Sequence, residues 1–100
     1  MSAREFFETL ESRVDPAKTA GMSNSYLFDI EGAGTWKVDV QDGNVSVSEG
    51  AQDADVTITT SEETFEKITS GEQNATSAYM TGKLKVKGDV GAAMKLQKLF

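Results

Sequence analysis

A chain of 100 residues, 38% apolar and 26% charged, with nine glycines and one proline, is sized and composed for a single soluble globular domain. Sixteen acids against ten bases leave a net charge of −6, so the phosphate neutralisation that nucleic-acid binding needs is missing and no nucleic-acid partner is expected. The absence of cysteine and histidine excludes disulfides, thiol catalysis, cysteine- or histidine-ligated zinc and the usual neutral-pH base.

No apolar run approaches the roughly 20 residues that span a bilayer, and Met1 to Glu5 lacks a basic lead into an apolar stretch. A cytoplasmic protein is expected. Folding should hide roughly two thirds of the unfolded chain's surface, enough for one modest core.

Ser2 three residues before Glu5 forms a capping box, and Ala3, Phe6, Phe7, Leu10 and Val14 follow at helical spacing. This predicts a first helix from Ala3 to Val14. Asp15 and Pro16 offer an N-cap and a proline at the first helical position of a short second helix ending at Gly21. From Ser25 the period becomes two, with Tyr26, Phe28 and Ile30 on one face; Leu27 interrupts the polar alternation on the other. After Gly32-Ala33-Gly34, the residues Trp36, Val38 and Val40 alternate with polar ones, and Asp42-Gly43 signals a hairpin before Val45 and Val47. Three strands therefore form a meander, and Val56 and Ile58 mark a fourth.

Thr60 three residues before Glu63, with Ser61 beside it, predicts the start of a helix bearing Phe65 and Ile68 and ended by Gly71. Asn74 caps a further short helix through Ala75, Ala78, Tyr79 and Met80 to Gly82. Leu84 and Val86 among Lys83, Lys85 and Lys87 give a fifth strand, and Asp89 caps a last helix from Val90 onward. Strands with one apolar and one polar face imply an α+β fold, a five-stranded twisted sheet covered on one face by helices.

Little here supports catalysis. Glu62 and Glu63 lie in a helix's first turn, where negative charge suits the macrodipole. Asp53, Asp55 and Thr57 imitate calcium ligands, but Ile58 replaces the required glycine and no glutamate closes the loop. Gly32-Ala33-Gly34 precedes a strand rather than a helix, and Gly82-Lys83 lacks the hydroxyl residue of a phosphate loop. No catalytic residue, metal site or cofactor is expected. An enzyme would have to work through carboxylates alone, without the histidine that usually serves as base near neutral pH.

Two features of the C-terminal end bear on whether the chain has a partner. Residues 83 to 100 carry +4 while residues 1 to 82 carry −10, and the lysine row at Lys83, Lys85 and Lys87 either attracts an anionic membrane transiently or guards a sheet edge. Val90, Ala92, Ala93, Met94, Leu96, Leu99 and Phe100 spread over more of the last helix than one core stripe requires, so a lipid, a partner subunit or further core must cover them.

The run from Met80 to Gln97, reading Met-Thr-Gly-Lys-Leu-Lys-Val-Lys-Gly-Asp-Val-Gly-Ala-Ala-Met-Lys-Leu-Gln, closely resembles the C-terminal signature of the sterol carrier protein 2 domain. Gly34-Thr35-Trp36 before a Val-Asp-Val strand, Asp42-Gly43, and the strand Asp55 to Thr59 before a helix extend the likeness over nearly the whole chain. The resemblance implies a single non-enzymatic domain over residues 1 to 100, with an apolar tunnel between sheet and helices. It would bind fatty acids, fatty acyl-CoA or sterol-like lipids with broad selectivity.

On this resemblance the lining residues are Phe6, Phe7, Leu10, Phe28, Trp36, Tyr79, Met80, Met94 and Leu99, with Gln97 as a polar contact for a headgroup. The last helix would help to close the tunnel. The ending Lys98-Leu99-Phe100 departs from the Ser-Lys-Leu address of many eukaryotic members, and a chain opening on Met1 is expected to stand alone. A monomer or weak dimer is expected. The alternative is a protein-interaction or dimerisation module serving a lipid-metabolising enzyme.

Overall fold

The apolar residues three and four apart in the first segment do form a helix, α1 (Ala3–Arg13), which buries Ala3, Phe6, Phe7 and Leu10. The computed structural model describes residues 3–14, 16–93 and 95; Ser2, the residue expected to open the capping box, and the expected N-cap Asp15 lie outside them. A short helix, α2 (Pro16–Thr19), leads to β1 (Ser23–Glu31), β2 (Gly34–Gln41) and β3 (Asn44–Glu49). These three strands are the expected antiparallel meander. The β2–β3 turn has positive φ at both central residues, 45° at Asp42 and 87° at Gly43, the combination a two-residue hairpin needs to match strand twist.

Next comes β4 (Val56–Ser61), which lies parallel to β1, and β5 (Leu84–Gly88), which runs antiparallel to β4 at the edge. The strand order is β3-β2-β1-β4-β5. The parallel start is fixed by a reciprocal pair: the Ser25 N–H donates to the Asp55 carboxylate at 3.0 Å, and the Asp55 N–H donates to the Ser25 hydroxyl at 2.9 Å.

Between β4 and β5 lie α3 (Glu62–Thr69) and α4 (Ala75–Met80), and α5 (Val90–Ala93) follows β5. Of the two hydroxyls at the expected α3 cap, the second serves. Ser61, not Thr60, accepts from the Thr64 N–H, because Thr60 is still a buried strand residue whose hydroxyl donates to the Lys83 carbonyl at 2.9 Å. Asn74 and Asp89 cap as expected, accepting from Thr76 at 2.7 Å and from Ala92 at 3.2 Å.

Register puts Tyr26, Phe28, Trp36, Val38 and Ile58 on one sheet face, where all are buried. Here α1 packs over β3, α3 over β1 and β4, and α5 over β4 and β5. The opposite face carries Lys37, Leu27, Thr57 and Lys87 in one cross-strand row. This is the α+β architecture read from the sequence.

Candidate functional site

Phe6 and Phe7 are adjacent on α1, and their rings meet edge-on at 5.4 Å between centroids within the same buried face. Phe7 stacks on Trp36 of β2 at 4.8 Å between ring centroids and on Phe65 of α3 at 5.2 Å, and it meets Phe28 of β1 at 5.1 Å. Phe6 meets Phe65 edge-on at 5.3 Å. Phe7 is thus the hub of an aromatic cluster drawn from α1, α3 and two strands, and Leu10 is buried in the same core. Aromatic pairs at these separations add about 0.5–1.5 kcal/mol each beyond area burial.

Five expected lining residues, Phe6, Phe7, Leu10, Phe28 and Trp36, are therefore brought together. Tyr79 and Met80 are not: both side chains stand exposed on α4. Met94, Gln97 and Leu99 lie outside the described residues. Phe65 and Tyr26 join the site without being among the expected lining residues. The signal for Phe65 was its spacing of three from Ile68, which gave it a buried helix face without showing that this face meets Phe7.

The edges of the cluster are charged. The Arg4 guanidinium lies 5.7 Å from the Trp36 ring and donates twice to the Glu49 carboxylate, at 3.2 Å each, and the Arg13 guanidinium lies 4.9 Å from the Phe6 ring. A surface recess of about 200 Å³ reaches Phe7 and Trp36 beside Val47, ringed by Glu8, Glu11 and Glu49. Glu11 also accepts from the Val47 N–H at 2.8 Å, which occupies a donor on the exposed edge of β3. Among the described residues no group of acids is placed to hold a metal ion.

Beside Phe28 on β1, with ring centroids 6.3 Å apart, Tyr26 is fully buried and its hydroxyl donates to the Ala92 carbonyl of α5 at 2.8 Å. Burial pushes its phenol up to about 12, with the carboxylates of Asp55 and Asp89 adding to the rise. A neutral donor at this point ties the last described helix to the sheet.

A five-stranded sheet whose aromatic face is closed by helices from both ends of the chain is the fold of sterol carrier protein 2 domains. The palmitated sterol carrier protein 2 like 2 of Aedes aegypti superposes with a TM-score of 0.77 at 27% identity, covering 99% of this chain and 94% of that one. The model of the SCP-2 sterol transfer family matches residues 5–100, and the chain belongs to that family.

Human hydroxysteroid dehydrogenase-like protein 2 is 42% identical over 79 residues, which are 75% of this chain and 19% of that protein. The stereoselective inverting sec-alkylsulfatase Pisa1 of Pseudomonas shares the fold with a TM-score of 0.83 at 22% identity, over 99% of this chain and 16% of its own. The chain spans about a fifth of the length of the curated relatives it matches. Among the described residues no helix is long and apolar enough to cross a membrane.

Proposed function

We propose that residues 1 to 100 form a non-catalytic carrier domain that holds a fatty acid, fatty acyl-CoA or sterol-like lipid between the sheet and the helices, with broad selectivity. The observation that carries this reading is the convergence of Phe6, Phe7, Leu10, Phe28, Trp36 and Phe65 into one apolar cluster under α1, in a member of the SCP-2 sterol transfer family. The palmitated Aedes relative supports the acyl chain as ligand class. Burying an acyl chain gains about 0.8 kcal/mol per CH₂, so affinity needs no elaborate polar network and selectivity stays loose. The absence of histidine and cysteine fits a carrier better than a hydrolase.

Met94, Gln97 and Leu99 complete the proposed ligand contacts, and Lys83, Lys85 and Lys87 offer a cationic surface to an anionic membrane. Cytoplasmic residence and a monomeric or weakly dimeric state belong to the same proposal. The test is titration of delipidated protein with a fluorescent fatty-acid analogue, competed by unlabelled fatty acid, acyl-CoA and sterol. Saturable one-to-one binding displaced by acyl chains is expected; a folded protein that takes up none overturns the reading.

A second reading has its own observation. The curated relatives carry this region as about a fifth of a longer protein, which favours a module serving an attached or docked lipid-metabolising enzyme. Concentration-dependent mass in sedimentation without lipid uptake would select it.

A further inference from the structure

The segment from Tyr79 to Val90 carries two features that the core does not require. Among the described residues, the large apolar side chains standing in solvent are Tyr79, Met80 and Val90, at 41%, 80% and 45% exposure, and all three flank the edge strand β5. Between them, Lys83, Lys85 and Lys87 alternate with Leu84 and Val86. Lys85 pairs with Thr59 and Lys87 with Thr57, so these two lysines project from the sheet face away from the helices.

Edge lysines by themselves discourage strand addition. That role gives no reason for a solvent-exposed methionine before the strand and a valine after it. The lysines also keep their charge unneutralised within the fold. Arg4, Lys37 and Lys67 each pair with a carboxylate, yet Lys83, Lys85 and Lys87 pair with none among the described residues, in a chain whose acids outnumber its bases by six.

Apolar anchors at both ends of a cationic row are complementary to an anionic bilayer interface, where apolar side chains enter the acyl boundary and ammonium groups remain among the headgroups. We propose that the β5 edge, from Tyr79 to Val90, docks on anionic lipid bilayers. The row from Lys83 to Lys87 is about 13 Å long at strand spacing. Residues 1 to 82 carry −10 and are repelled by the same surface, so contact is confined to this edge and the orientation is set. Docking brings α5, which begins at Val90 and is tied to the core through Tyr26, to the bilayer. The purpose of the contact, loading or delivery, rests on the carrier reading; the contact itself does not.

The test is co-sedimentation of the full chain with vesicles of phosphatidylcholine alone, and of phosphatidylserine and phosphatidylcholine in equal parts, at low and high salt. Binding to the anionic vesicles that high salt abolishes is expected. Each lysine changed to glutamine should weaken it on the order of fivefold, so the combined Lys83→Gln, Lys85→Gln, Lys87→Gln variant should not sediment. Met80→Gln and Val90→Gln should each weaken it by up to about tenfold. The lysine variant should still take up fatty acid in solution, which separates failure of docking from failure of carrying. Indifference to lipid charge, retention of the lysine variant, or no effect of either apolar change overturns the proposal. So does a concentration-dependent mass that Met80→Gln abolishes without vesicle binding, which assigns the patch to a second copy.

Discussion

At Tyr26 one hydroxyl joins the need to keep polar groups satisfied in an apolar core to the position of α5. Tyr26→Phe retains the ring and leaves the Ala92 carbonyl without its donor, at an expected cost of about 1–3 kcal/mol in denaturant unfolding. The pH dependence follows from the same group. Its folded value, about 12, lies above the unfolded phenol value near 10, so the neutral phenol stabilises the fold in full below pH 10 and that contribution fades between about 10 and 12. The free energy of unfolding measured across that range should fall less steeply for Tyr26→Phe than for the unaltered chain.

Among the elements, β5 depends on a residue without a side chain. Gly88 has φ of 109°, and a Cβ there would collide with the Asp55 carbonyl. This explains why the strand ends in Gly-Asp: glycine permits the close approach to β4, and Asp89 then caps α5. Gly88→Ala is expected to cost about 2–4 kcal/mol through backbone strain and displacement of Asp55, with amide exchange rising first along β4 and β5. Exchange that rises only in loops remote from Asp55 would count against this account. The α3 boundary shows the reverse relation. Thr60 has the right chemistry for a cap, but β4 pairing carries it inward and hands the role to Ser61.

For the whole molecule, the sole tryptophan sits in the aromatic cluster, stacked on Phe7 with an interplanar angle of 18°. A lipid chain admitted between α1 and the sheet must part Phe7 from Trp36 or from Phe28. Loading is therefore expected to shift Trp36 emission in step with fatty-acid binding. Saturable binding with unchanged emission would locate the ligand elsewhere in the fold. The molecule is also polar in charge, acidic through residues 1 to 82 and basic after them, so long-range orientation toward a charged surface should weaken as salt rises.

Periodicity alone determined most elements, because an amphipathic face is written locally: Phe6, Phe7 and Leu10 for α1, Trp36, Val38 and Val40 for β2, Asp42-Gly43 for the hairpin. The family was legible from the run between Met80 and Gln97, where the turn glycines and helix cap hold fixed offsets. What the sequence could not supply was convergence. Burial of Phe65 against Phe7, exposure of Tyr79 and Met80, and the parallel placement of β4 beside β1 each depend on contacts between residues distant in the chain. A side chain's local spacing gives the face it occupies; only the packing of that face against another decides whether it meets a ring, a ligand or water.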